Sequence, residues 1–154
     1  MNVSKKPFAL CAAAALLLLT GCWLGDRFAT TRTVSLTFPV PAGQSKVSLS
    51  VTNGEVQEAL KVIDAVLTSA GLTRDPNPPP QNVPGFIASY VRYSGTGPRP
   101  PGTSVYLEDG HLYVAVVEWG NRSGHLTTDG KRICKSLRDE LRKRYGAGKV
   151  RIER

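Results

Sequence analysis

The dipeptide Asp109-Gly110 constrains the fold of this chain strongly, because it lies between two runs in which apolar and polar residues alternate. A two-residue type I′ turn needs positive φ at both central positions, which Asp-Gly tolerates, so we predict a β-hairpin. The turn fixes the register, which pairs Glu108 with His111, Leu107 with Leu112, Tyr106 with Tyr113 and Val105 with Val114. One face of the hairpin is therefore aliphatic, and the other carries Tyr106, Tyr113 and Trp119.

This aromatic face allows two interpretations. Tyr106, Tyr113 and Trp119, joined by Tyr90 or Phe86, either form an exposed platform for a sugar or peptide, or pack beneath other parts of the chain. Since aromatic stripes more often belong to a core, we expect the N-terminal strand or the proline-rich loops to cover them.

Two segments have the three- and four-residue apolar spacing of amphipathic helices. The first has Thr52 and Glu55 at capping-box spacing, with Asn53 as an alternative N-cap, and Gly71 follows its end. The second begins at Thr127 or Thr128 and ends at Gly146. Their apolar stripes are Val56, Ala59, Leu60, Ile63, Val66, Leu67 and Ala70 in the first, and Ile133, Cys134, Leu137, Leu141 and Tyr145 in the second.

Strand-like alternation also occurs from Arg32 to Phe38, around Val47 to Val51, from Phe86 to Tyr93 and at Val150 to Ile152. The proline-rich stretches 73–84 and 95–102 are predicted to be connections. The order β-β-α-β-β-β-α-β predicts an α+β domain, an antiparallel sheet with two amphipathic helices on one face. This order looks like a ferredoxin-like split βαβ arrangement with extra strands.

The first 22 residues have the pattern of an export signal. Lys5 and Lys6 precede an apolar run from Phe8 to Leu19, which is shorter than the roughly 20 residues of a membrane-spanning helix. The residues Leu19-Thr20-Gly21-Cys22 that follow resemble the lipobox of bacterial lipoproteins. The resemblance implies cleavage between Gly21 and Cys22 and attachment of fatty acyl chains, such as palmitate, at Cys22.

That resemblance divides the chain into a signal peptide (1–21), a tether after the lipidated cysteine (22–31) and one domain (32–154). Two or three acyl chains on one residue anchor a protein durably. Trp23 occupies the position where aspartate is associated with inner-membrane retention in enteric bacteria. We therefore expect a lipid-anchored, periplasm-facing protein, on the outer membrane if the organism is Gram-negative.

Positive charge is concentrated near the C-terminus. The whole chain carries +8, and residues 122–154 contain eleven basic and four acidic residues. The basic residues of the second helix are Lys131, Arg132, Lys135, Arg138, Arg142, Lys143 and Arg144.

Three interpretations of this charge remain. The helix face is simply solvated, with i,i+4 pairs Lys135–Asp139 and Asp139–Lys143; or it binds anionic lipid, lipopolysaccharide or cell-wall polymer; or it binds nucleic acid. Export to the envelope makes nucleic acid an unsuitable partner.

The sequence contains no catalytic or metal-binding motif that we recognise. It has no GxSxG, HExxH or P-loop, and we expect no cofactor and no metal site. His111 lies beside two acidic residues at the hairpin turn, and His125 lies in a glycine-rich connection. Cys134 falls on an apolar helix stripe, which favours a buried, unreactive thiol over one activated by Lys131 and Lys135.

These features predict a non-enzymatic accessory or binding lipoprotein. It would contact an envelope protein or an anionic envelope component through the basic helix or a sheet edge. The alternative is a small periplasmic enzyme or ligand-binding domain that uses His111, His125 and the aromatic face. A pocket that brings a histidine within about 3 Å of a nucleophile or carboxylate would favour this alternative.

Overall fold

The computed structural model describes residues 29–39, 50–78, 84–94 and 97–153. The predicted signal peptide, Cys22 and the strand expected at Val47 and Leu49 lie outside the described residues. Val51, at the end of that expected strand, lies in an exposed turn. None of the helices in the described part of the chain combines the length and apolarity needed to cross a membrane.

The described residues form six strands and two α-helices. Their bounds are β1 Ala29–Thr37, α1 Gly54–Ser69, β2 Thr73–Arg74, β3 Phe86–Ser94, β4 Gly97–Glu108, β5 His111–Trp119, α2 Thr128–Tyr145 and β6 Val150–Glu153, with a 3₁₀ turn at Ala147–Lys149 before β6. β1 begins three residues before Arg32, so Ala29–Thr31 belong to the sheet and not to the tether as we expected. Thr30 is buried there.

The sheet has the order β2-β3-β4-β5-β1-β6, and every pair of neighbours is antiparallel. α2 connects β5 to the parallel strand β6, with β1 between them in the sheet. α1 connects β1 to the edge strand β2, which lies beyond β5, β4 and β3. This open antiparallel sheet with two helices is the predicted α+β fold.

The hairpin of β4 and β5 has the register predicted from its turn. Glu108 pairs with His111 and Val105 with Val114, and φ is 45° at Asp109 and 77° at Gly110. The Gly110 carbonyl also accepts a hydrogen bond from the Phe38 N–H at 3.0 Å, which ties the turn to the end of β1.

Two predicted connections are instead strands. Gly97–Pro101, assigned to a loop because of its prolines, is the first part of β4. Its residues Gly97, Pro98 and Arg99 pair with the end of β3. Its pairing with β5 starts only at Gly102, so the prolines, which lack an N–H, need bonds on one side alone. Thr73–Arg74, assigned to the other proline-rich connection, pairs with β3 as the short edge strand β2.

Both helices pack on the same face of the sheet. α1 begins at the N-cap Asn53, whose side chain accepts from the N–H groups of Glu55 and Val56, and α2 begins at Thr127. Gly71 and Gly146 follow the two helices with positive φ, as predicted. The largest fully buried side chains of this single core are Leu36, Ile63, Leu67, Leu72, Leu112, Ile133, Leu137 and Leu141.

Candidate anion-binding groove

Most cations of α2 already have acidic partners. Lys135 and Arg138 both contact Asp139, at 2.7 Å and 2.9 Å. Lys143 lies 4.0 Å from Glu140, so the expected pair of Lys143 with Asp139 is wrong, because Asp139 is occupied from the other side. The remaining pairs are Arg132 with Asp129 at 2.5 Å and Arg144 with Glu58 at 3.6 Å. Arg142 donates instead to the Val150 carbonyl at 3.3 Å.

The first half of α2 borders a groove of about 290 Å³. The lining comes from α2, from the β5–α2 connection and from β1 and β6, and comprises Arg32, His125, Leu126, Lys131, Cys134, Lys135, Arg138 and Ile152. Four of these residues are cationic and three are apolar, and none of the described lining residues is acidic. The groove therefore combines positive charge with an apolar surface.

Two of the four cations, Arg32 and Lys131, have no acidic partner among the described residues, whereas Lys135 and Arg138 both pair with Asp139. The Arg32 guanidinium donates to the carbonyls of Thr31 at 2.8 Å and Gly124 at 3.1 Å, which fixes it between β1 and the β5–α2 connection. Lys131 is exposed and forms no ion pair with any described residue. An anion entering the groove would therefore meet one cation held by two hydrogen bonds and one exposed cation without an ion-pair partner among the described residues.

Cys134 contributes to the groove as an apolar group. Its side chain is buried, and burial raises the pKa of the thiol to about 11, which the nearby Arg32 charge only partly opposes. The thiol is therefore neutral near pH 7. This agrees with the predicted unreactive cysteine and contradicts activation by Lys131 and Lys135.

A buried carboxylate holds the connection that carries His125 and Leu126. Glu118, on the helix-facing side of β5, accepts from the Thr127 hydroxyl at 2.5 Å, the Thr127 N–H at 2.9 Å and the Asn121 amide at 2.7 Å. Burial opposes ionisation, but these hydrogen bonds outweigh it and hold the pKa of Glu118 below its usual value. The start of α2 is thus fixed beside the groove.

Sequence reasoning missed Glu118 and Arg32. Glu118 could have been identified from the sequence, because alternation along β5 places it on the same inward-facing side as Val114 and Val116. A charged residue at an inward position just before a helix N-terminus indicates a capping role. For Arg32 no local signal exists, because its partner Gly124 is 92 residues away in the chain.

The structure does not bring the two histidines together. β1 pairs with β5 from Thr37 opposite His111 to Ala29 opposite Trp119, so His111 lies at one end of the sheet and the connection with His125 starts at the other. His111 contacts the Asp109 carbonyl at 3.0 Å and stacks on Tyr113. Within the described ranges, no three His, Cys, Asp or Glu residues are grouped so that they could hold a metal ion.

The aromatic residues lie on the sheet face opposite the helices. Tyr106 and Tyr113 stack with their ring centroids 5.2 Å apart, and Trp119 is 55% exposed further along β5. Phe86 pairs with Tyr106 on this face. Tyr90 points to the other side, where its hydroxyl donates to Asp64 at 3.0 Å.

The expected cover for this face is wrong in two respects. The N-terminal strand β1 lies within the sheet beside β5, and the prolines at positions 98, 100 and 101 belong to β4. Neither β1 nor the segment 98–101 therefore lies over the aromatic residues, whereas residues 79–83 of the first proline-rich stretch lie outside the described residues.

Comparisons of the chain with protein-family models, with curated proteins and with solved structures return no match.

Proposed function

We propose that this chain is a bacterial lipoprotein, anchored through acylated Cys22 and facing the periplasm, whose groove binds the anionic headgroups of its own membrane. It acts as a non-enzymatic binding module, and the outer membrane is the proposed site in a Gram-negative cell. The ferredoxin-like description belongs to the same proposal and is supported by the strand order β6-β1-β5-β4 and by α2, which connects β5 to β6; the strands β2 and β3, which follow α1, are the extra strands.

The position of β1 relative to Cys22 supports an orientation in which the groove faces the membrane. β1 starts at Ala29, seven residues after Cys22, and seven residues span at most about 25 Å. The start of β1 contacts the β5–α2 connection, since the Thr30 hydroxyl donates to the Asn121 carbonyl at 2.9 Å. The anchored end of the domain is thus the end that carries Arg32, His125 and the groove.

The composition of the groove is the observation that carries the proposal. A lipid headgroup presents a phosphate, which suits Arg32 and Lys131, the two groove cations that have no acidic partner among the described residues. Its glycerol and first methylenes suit the apolar lining formed by Leu126, Cys134 and Ile152. Each basic residue near an anionic membrane surface contributes about 1 kcal/mol. Lipopolysaccharide and cell-wall polymers carry the same anionic groups and are included as further arms of the test.

Vesicle binding by the mature chain with Cys22→Ser tests the groove, because this chain keeps every described residue but cannot be acylated. We expect it to bind phosphatidylglycerol vesicles at low salt and to release them at high salt. Lys131→Gln with Lys135→Gln removes two groove charges and should weaken binding about 10- to 30-fold, following about 1 kcal/mol per charge.

The matched control is Lys61→Gln with Lys143→Gln, which removes the same charge from exposed lysines outside the groove. It should weaken binding by less than about threefold. Equal losses of vesicle affinity in the two double variants, or no preference for anionic over zwitterionic vesicles, would contradict the proposal. Stronger binding to lipopolysaccharide or to teichoic acid than to phosphatidylglycerol would assign the groove to that anion instead.

A further inference from the structure

A small pocket of about 120 Å³ lies on the sheet face opposite the helices, separate from the groove. Its lining comes from β3, β4, β5 and the segment after β2, and comprises Asp75, Ser89, Tyr90, Val91, Gly102, Thr103, Ser104, Val117 and Trp119. Gly102 explains why the pocket exists. It pairs with Val117 and adjoins Val91, so the missing side chain leaves a gap in this row of the sheet.

The residues around this gap present an apolar ring on one side and hydroxyl groups on other members of the lining. Trp119 presents an indole that is 55% exposed, which offers a flat apolar surface. Ser89 is 7% exposed, and its hydroxyl has no hydrogen-bond partner among the described residues. Ser104 pairs with Ser89 on the same face and adds a second hydroxyl.

Asp75 supplies an acceptor on the same rim. Its Oδ1 accepts from the Asn77 N–H at 3.0 Å and from the Tyr93 hydroxyl at 3.3 Å, which orients the carboxylate. Asp75 is also held to β3, because its N–H donates to the Ser89 carbonyl at 2.9 Å. The carboxylate and the buried hydroxyl of Ser89 are therefore fixed on neighbouring segments.

We propose that this pocket binds one ring of a neutral saccharide. A pyranose has an apolar face of C–H groups, which packs on an aromatic ring, and an edge of hydroxyls, which both donate and accept. Such a ring stacks on Trp119, donates to the Asp75 carboxylate and supplies the missing partner of Ser89. A purely apolar ligand would leave the buried Ser89 hydroxyl unsatisfied, which is costly.

The direct test follows the fluorescence of Trp119 in the acylated chain. The chain has two tryptophans, so a Trp23→Phe background leaves Trp119 as the single indole. The protein is kept in a detergent without a sugar headgroup and titrated with cellotriose, with chitotriose and with trialanine. We expect a saturable emission change with at least one of the two saccharides and none with the peptide.

Gly102→Ala is the variant that probes the pocket itself. The added Cβ would lie 3.5 Å from the Tyr90 carbonyl oxygen and 3.9 Å from a Val91 methyl, both ordinary contacts, so the fold should tolerate it. The methyl fills the gap and should weaken saccharide binding at least tenfold. Gly148→Ala is the control, because a Cβ there meets nothing within 4 Å, and it should leave binding unchanged.

Ser89→Ala separates a binding role from a structural one. An unpartnered buried hydroxyl contributes nothing favourable to folding, so the variant should keep or raise the midpoint of thermal unfolding while weakening saccharide binding. Absence of saturation with both saccharides, saturation with trialanine alone, or equal saccharide affinity of wild type and Ser89→Ala would overturn the proposal. Binding to anionic vesicles should be the same in all these variants.

Discussion

Thr127 gives both of its donors to Glu118: its N–H to Oε2 at 2.9 Å and its hydroxyl to Oε1 at 2.5 Å. The same hydroxyl also accepts from the Gly130 N–H at 3.4 Å, as the N-cap of α2. Glu118 is 1% exposed. A buried side chain of β5 thus fixes the first turn of α2, and with it one wall of the groove.

Glu118→Ala should destabilise the domain by about 2–4 kcal/mol, because it leaves buried donors of Thr127 and Asn121 without their acceptor. Glu108→Ala is the matched control, since Glu108 is an exposed glutamate at the end of β4, and it should change the free energy of unfolding by less than about 0.5 kcal/mol. Urea unfolding measures both values. Similar losses for the two variants would refute the role of Glu118.

Acid should destabilise the folded domain through Glu118 and Asp129. The pKa of Asp129 is lowered mainly by its hydrogen bond from Arg92, and that of Glu118 is lowered by its three donors despite burial. The folded chain therefore holds these protons less tightly than the unfolded chain. Their stabilising contribution is complete above the usual values of 3.8 and 4.5 and is lost as the pH falls below them.

The free energy of unfolding should decrease as the pH is lowered from about 7 to about 3. In Glu118→Gln it should depend less steeply on pH. An unchanged slope in Glu118→Gln would show that Glu118 does not contribute to acid sensitivity.

Gly130→Ala should destabilise the domain even though alanine is the better helix former by about 1 kcal/mol. A Cβ at Gly130 would overlap Oε1 of Glu118 and lie 3.2 Å from the Leu126 Cβ, so we expect a net loss of about 1–3 kcal/mol. Gly54→Ala in the first turn of α1 meets nothing within 4 Å and should be neutral or stabilising. Thermal unfolding compares the two, and a stabilised Gly130→Ala would contradict the close contact.

Cys134 should resist alkylation by iodoacetamide at pH 7 in the folded chain, because its thiol is buried and its pKa is raised to about 11. In urea the same thiol should react at the ordinary rate. Peptide mass spectrometry distinguishes Cys134 from the other cysteines. Rapid labelling of the folded protein would show that the groove exposes the thiol.

Local chemistry made much of the fold predictable. The Asp109-Gly110 turn determines its own register, and Gly71 and Gly146 mark helix ends, because each depends on neighbours in the chain. The strand formed by Gly97–Pro101 was not predictable in this way. Its prolines lack an N–H and therefore disfavour strand pairing. The strand is possible because β5 does not pair with this part of β4, so no strand on that side requires an N–H from the prolines.

The candidate site was predictable only in part. The basic residues of α2 are evident from the sequence, but which of them are neutralised depends on tertiary placement. Arg144, for example, pairs with Glu58 of α1, and Arg92 of β3 pairs with Asp129. Lys131 stands out as unpaired among the described residues only once these contacts are known.

The proposed acylation of Cys22 would place the groove beside a bilayer, so the mass of the N-terminal peptide tests the central claim most directly. In protein purified from the native host, we predict a peptide that begins at Cys22 and carries a diacylglyceryl group on its sulfur. A free thiol at Cys22, or a peptide that still contains residues 1–21, would contradict the account.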